Sequence, residues 1–169
     1  MPSMQSFRHA QILPAPAATV LEHITSEDYL LFRYKEPTQL GFEMQILTDT
    51  PEEHAVRIVR VYGTDKVPRM ARKMLGDQLE LIQTQRWNRQ GPQYQGEMRL
   101  EVAGVPGHIE GTMGLADHTE VSSQMQAEGG VEVRVPLLGR QIEKLLVERA
   151  EEGFAKSMQS IQDWLERKR

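Results

Sequence analysis

The chain has 169 residues, of which 39% are hydrophobic and 26% charged, so it is long enough to bury a core and does not have the composition of a disordered protein. Its net charge of −4 argues against a general nucleic-acid binder, which needs a basic surface, and the lack of cysteine excludes disulfides and thiolate metal sites. The N-terminus has no apolar signal core, and no apolar run approaches the ~20 residues that span a bilayer. We therefore expect a cytoplasmic protein with one domain over residues 1–169.

A strand and two short helices are the first predicted elements. Residues 6–13 alternate as a strand. Pro16 then suits the start of a helix, because a backbone N–H at that position has no hydrogen-bond partner within the helix and its absence is not unfavourable. Residues 17–24 place apolar side chains at helical spacing. Ser26 can cap a second helix over residues 27–34.

Six further strands are predicted from the alternation of apolar and polar side chains. Their expected ranges are residues 40–48, 54–62, 78–88, 93–103, 108–115 and 120–135. Gly129 and Gly130, within the last of them, predict a bulge or a sharp bend. Short turns between consecutive strands favour an antiparallel sheet, and a sheet with one apolar face needs a covering layer.

A long helix that runs almost to the end of the chain is the only predicted element able to cover this sheet, which makes the expected fold class α+β. At about 100° per residue, the inward face of the helix is bulky at both ends and small in the middle, at Ala150, Gly153 and Ser157. Small residues there indicate either close packing of helix on sheet or a hollow between them. Periodicity alone does not decide between the two.

Three stretches carry a family resemblance: SFRHAQILPAPAATVLEHIT near the start, VPGHIEGTMGL in the middle, and VRVPLLGRQIEKLLVE at the start of the long helix. With the order of elements, they make the chain similar to the START-like (Bet v 1-like, SRPBCC) superfamily, and most similar to a family of unknown function within it. The resemblance implies a helix-grip fold, in which a curved seven-stranded antiparallel sheet wraps around a long C-terminal helix and two short helices follow the first strand. It also implies a deep, largely apolar cavity for lipids, sterols, polyketides or other aromatic molecules.

Candidate ligand-binding residues are taken from the more apolar face of each strand and from the small residues of the long helix. They are Met44, Ile58, Trp87, Met98, Leu100, Met113, Met125, Ala150, Gly153 and Ser157. Methionine suits surfaces that adapt to varied apolar partners. The competing interpretation is an ordinary core that contains a few methionines.

A short amphipathic helix over residues 66–75 interrupts the run of strands and is a candidate lid, with Val67, Met70 and Met74 on its apolar face. Its opposite face is basic, so it could rest on an anionic membrane surface or meet an acidic head group. The alternative is a solvated charged face above the core.

No catalytic or metal-binding motif is present around the five histidines, and we expect neither a metal nor a cofactor. Polar residues such as Gln83, Gln85 and His108 would face the cavity only if the assignment of strand faces were shifted by one residue. The expected function is therefore binding of a hydrophobic small molecule or lipid, with at most peripheral membrane contact. The alternatives are a cyclase/aromatase-type enzyme, favoured by a buried histidine–carboxylate pair beside the cavity, and a filled-core domain that acts through protein contacts, such as a homodimer.

Overall fold

The computed structural model describes residues 5–135 and 139–168, without the side chains of Gln5 and Met70. Its strands are β1 (Gln5–Leu13), β2 (Gly41–Asp49), β3 (Glu53–Gly63), β4 (Gln78–Asn88), β5 (Gln93–Val102), β6 (Gly107–Thr119) and β7 (Ser122–Val133). Its helices are α1 (Ala17–Ile24), α2 (Glu27–Tyr34), α3 (Arg69–Leu75) and α4 (Gly139–Arg167).

The seven strands form one antiparallel sheet in the order β1-β7-β6-β5-β4-β3-β2. Only the β1–β7 pairing joins strands that are distant in the sequence, and it places the first strand beside the last. The sheet curves around α4, while α1 and α2 connect β1 to the far edge strand β2. The predicted helix-grip fold is confirmed.

Helices α1 and α2 have the predicted bounds, and a side chain caps the first turn of each. The Ser26 hydroxyl accepts a hydrogen bond from the Tyr29 N–H at 3.3 Å, which caps α2. Pro16 offers no side-chain cap to α1, so the cap comes from a distant strand: Asp117 Oδ1 accepts from the Ala17 N–H at 2.7 Å. The end of β6 therefore anchors the start of α1.

Helix α3 begins at Arg69, three residues later than the predicted start at residue 66. Pro68 occupies the N-cap position in an extended conformation, and a proline also disfavours helical geometry in the residue before it. The segment that ends at Val67 is consequently a loop. Gly76, with a φ of 74°, ends the helix in the region that glycine adopts most easily.

No bulge occurs at Gly129 and Gly130, because the β6–β7 register continues through both residues without a shift. The register shift lies at the far end of the hairpin, between Asp117 and Thr119. Gly129 is required for a different reason: a Cβ atom there would lie 2.8 Å from the Phe7 ring and also collide with β6. Gly129 thus permits close contact between β6, β7 and the Phe7 ring.

Two apolar clusters hold α4 against the sheet. One joins α1, α2 and the C-terminal half of α4, with Trp164 in edge-to-face contact with Tyr29 at a centroid distance of 5.8 Å. The other lies beneath α4 from Ile142 near its start to Phe154 at its centre, and the ring centroid of Phe154 is 5.3 Å from that of Phe7. The helix is thus packed at both ends of the sheet.

Candidate ligand-binding site

A cavity of about 660 Å³ lies between α4 and the concave face of the sheet. Helix α4 packs chiefly against β1 and β7, so the concave surface of β3, β4 and β5 is not covered by it. Strand residues that line the cavity include Leu79, Leu81, Met98, Leu100, Val102 and Ile109. The volume falls within the roughly 300–1,000 Å³ that is typical of small-molecule sites.

The mouth of the cavity is marked by the lining residues that are exposed to solvent. They are Thr38, Asp65, Lys66, Pro68 and Arg149. The loop between α2 and β2, the loop before α3 and Arg149 of α4 therefore frame the opening, and α3 itself contributes Ala71, Met74 and Leu75 to the lining.

Gly153 lies in the middle of α4 and faces empty space. A Cβ atom added there would have no neighbour within 4 Å. At Gly96, by contrast, an added Cβ would lie 2.8 Å from the Trp87 ring. Close packing therefore explains the glycine at position 96 but not the glycine at position 153.

Half of the predicted ligand-binding residues line this cavity. Met98 and Leu100 line it from β5, and Ala150, Gly153 and Ser157 line it from α4. The predicted lid contributes as well. Its Val67 and Met74 are lining residues, whereas the side chain of Met70 lies outside the described part of the chain.

The other five predicted residues are part of the packed core and do not line the cavity: Met44, Ile58, Trp87, Met113 and Met125. They are on the concave face as predicted, but toward the end of the sheet that α1 and α2 fill. Alternation identifies the face of a strand and not the position along it where the core ends and the hollow begins. On β3 this boundary falls between Ile58, which is fully buried, and Arg60, which lines the cavity.

Two arginines line the cavity near α2 and β3. Arg33 on α2 retains only 8% of its exposure; its Nε donates to Ser157 Oγ at 3.0 Å and its Nη2 to the Gly153 carbonyl at 3.1 Å. Arg60 on β3 donates from Nη2 to Gln83 Oε1 at 2.7 Å, and its buried Nε has no described partner. Each guanidinium is thus oriented by uncharged oxygens.

Tyr34 joins these groups into one polar network. Its hydroxyl accepts from the side-chain amides of Gln83 and Gln85, at 3.2 and 2.6 Å. The guanidinium carbons of Arg33 and Arg60 are 4.7 and 5.1 Å from the centroid of the Tyr34 ring. The ring therefore offers both cations a favourable π face.

This network was missed in the sequence analysis, although the sequence contains the signals for it. Gln83 has the same strand parity as Leu81, so it faces inward without any shift of register, and Gln85 does too. Arg60 likewise follows Ile58 by two residues. A polar site is predicted by charged and amide side chains that lie on an otherwise apolar strand face.

The groups expected of an acid–base catalyst are not assembled at this cavity. None of the described lining residues is a histidine, and the one carboxylate among them, Asp65, is exposed. His108 does contact a carboxylate, with Nε2 2.9 Å from Glu110 Oε1, but His108 and Glu110 do not line the cavity. Among the described residues, no three potential ligands are grouped to hold a metal ion.

Within the same described part of the chain, no helix is long and apolar enough to cross a membrane.

Solved structures of three proteins resemble the whole chain in fold. The aromatase/cyclase ZhuI from Streptomyces sp. R1128 is 14% identical, with a TM-score of 0.67 over 98% of this chain and 95% of its own. A START superfamily protein from Mycobacterium smegmatis is 16% identical, with a TM-score of 0.59 over 99% and 100%. Human STARD10 is 11% identical, with a TM-score of 0.60 over 96% of this chain and 65% of its own.

No curated protein sequence is significantly similar to the chain. One family model, described as a protein of unknown function, DUF2505, matches residues 8–165. The match extends from β1 to the last turns of α4 and so includes every element that forms the cavity. The chain is therefore a member of the DUF2505 family and has the START/Bet v 1-like helix-grip fold.

Proposed function

We propose that this protein binds a hydrophobic small molecule or lipid in the cavity between α4 and strands β3–β5. The single observation that carries the proposal is the open space in front of Gly153, in the middle of a helix that is packed at both ends. Apolar surface transferred from water into such a site gains ~25 cal/mol per Å², before the cost of association is subtracted. The cavity has the volume for such a ligand.

The fold comparisons support this proposal at a coarse level. Structures with the same fold include a START superfamily protein and an aromatase/cyclase, and the second of these raises an enzyme as an alternative. The buried histidine–carboxylate pair that would favour an enzyme is not found among the described cavity residues. The filled-core alternative requires protein atoms in the space at Gly153, and no described atom lies within 4 Å of a Cβ added there, which favours the cavity.

The loop before α3 and α3 itself act as the lid in this proposal. Val67 and Met74 line the cavity, while the neighbouring cations Lys66, Arg72 and Lys73 are exposed at its mouth or beside it. A basic surface next to an apolar opening suits transient contact with an anionic membrane, from which a lipid could enter. Membrane contact and a homodimer both remain predictions.

Native mass spectrometry of the purified protein tests the proposal, through comparison of its native and denatured masses. An added non-covalent mass of lipid size is the expected result. Titration with the neutral dye Nile red gives a second readout. Gly153→Leu places four carbons in the cavity and should weaken dye uptake, whereas Ala155→Leu on the exposed face of α4 should not. No bound mass, together with dye uptake that is equal in both variants, would refute the proposal.

A further inference from the structure

The polar part of the cavity carries positive charge that the described protein does not neutralise. Nine ion pairs are described, and neither Arg33 nor Arg60 takes part in any of them. Arginines on the surface, such as Arg86, Arg89 and Arg99, do pair with carboxylates. Exposed cations such as Lys66 and Arg72 also have no described carboxylate partner, but water screens their charge, whereas Arg33 is buried and Arg60 half-buried, where screening is weaker.

We infer that the cavity recognises an anionic group, a carboxylate or a phosphate ester, at one end of an otherwise apolar ligand. This inference rests on the proposed function and adds the chemical class of the ligand. A guanidinium carries a permanent positive charge, so the two arginines bring positive charge to the wall of the cavity. A buried charge is unfavourable unless it is paired, and an anion from the ligand would supply the missing partner.

The local geometry keeps donors available for such an anion. Arg33 directs Nε and Nη2 at Ser157 and Gly153 of α4, which leaves its Nη1 without a described partner. Arg60 uses only Nη2, toward Gln83, and its buried Nε donates to nothing described. A guanidinium presents five N–H donors in a planar fork that matches carboxylate and phosphate oxygens.

The small residues of α4 also fit this role. The Gly153 carbonyl accepts a hydrogen bond from Arg33, and because Gly153 has no side chain, nothing at this position covers the guanidinium. Leu81, Leu100 and Val102 line the cavity around the arginines with apolar surface. The site therefore combines an anion-binding group with a hydrocarbon-binding wall, which selects an amphipathic ligand over a free inorganic anion.

Three probes with the same hydrocarbon chain test the inference: decanoate, decyl phosphate and decanol, each in competition with Nile red at neutral pH. We expect at least one of the two anions to bind about tenfold more tightly than decanol, because charge-assisted hydrogen bonds form only with the anions. The tighter of the two anions identifies the head group as carboxylate or phosphate. Equal affinity of all three probes would overturn the inference and leave the proposed function intact. Failure of all three probes, with no Nile red uptake, would overturn both.

Variants then assign the selectivity to the arginines. Arg60→Met keeps the length of the side chain and removes its charge, so it should reduce anion affinity about tenfold and change decanol affinity little. Arg57→Met is the matched control, since Arg57 lies on the same strand with the opposite parity and outside the cavity. Equal losses in the two variants would contradict the assignment. If Arg60→Met does not fold, the comparison of the three probes on the unmodified protein still decides the inference.

Discussion

Gly153→Ala should stabilise the protein, and the sign of this effect is a direct test of the hollow. Glycine in a helix interior is about 1 kcal/mol less favourable than alanine, partly because it has more freedom to lose on folding. An alanine methyl at this position meets no atom within 4 Å, so no packing strain offsets the gain. For a chain of this size the gain should raise Tm by about 2–4 °C.

Thermal and urea unfolding, followed by circular dichroism, measure this change. A neutral or lower free energy of unfolding for Gly153→Ala would mean that the helix is in close contact with the sheet, and the reasoning would be refuted. Gly96→Ala is the matched comparison, with the same added methyl group. Its Cβ would lie 2.8 Å from the Trp87 ring, so it should destabilise the protein by about 1–3 kcal/mol.

Three other substitutions test the contacts around the cavity and the core. Asp117→Ala removes the acceptor for the Ala17 N–H, so urea unfolding should show a loss of about 1 kcal/mol. Ser157→Ala leaves Arg33 Nε without its acceptor and should lower the unfolding free energy by about 1 kcal/mol, whereas Ser160→Ala on the same helix should have little effect. Burial, reinforced by nearby positive charge, lowers the pKa of His54. As pH falls below about 6.5, the usual pKa of histidine, His54 therefore binds a proton in the unfolded chain before it does so in the folded protein. Stability should fall between that pH and the lower pKa of His54 in the folded protein, and His54→Gln should reduce this dependence of Tm on pH.

Local sequence signals were sufficient for the order and bounds of most elements. Ser26 marks the start of α2 through its side-chain cap, and β4 occupies its predicted range because turn residues bound it, Gly76 before it and the Gly91-Pro92 pair after it. Helix α3 differs only where Pro68 excludes helical geometry from the residues before it. These signals act over a few residues, which is why they can be read from one sequence.

The division of the concave face into core and cavity could not be read in the same way. Ile58 and Arg60 have the same strand parity, yet one is fully buried and the other lines the cavity. The difference depends on α1 and α2, which fill one end of the sheet, and on α4, which packs on β1 and β7. These are contacts between distant segments. The bond from Asp117 to Ala17 is of the same kind, since it joins residues 100 positions apart.

The small residues of α4 are best explained by the distribution of stability along that helix. One apolar cluster fixes the helix near its start, at Ile142, and the other near its end, at Trp164, while Phe154 packs on the sheet beside Gly153, so the helix stays attached to the sheet without contact at Gly153 itself. The middle is also where locally unfavourable features are found together: a glycine in a helix interior and the buried, unpaired charge of Arg33. Such features persist where the surrounding structure compensates for them, and their concentration at one place is typical of functional sites. A ligand with an anionic group on an apolar body would pair with the charge of Arg33 and fill the space in front of Gly153. Neither close packing nor a filled core accounts for these two features.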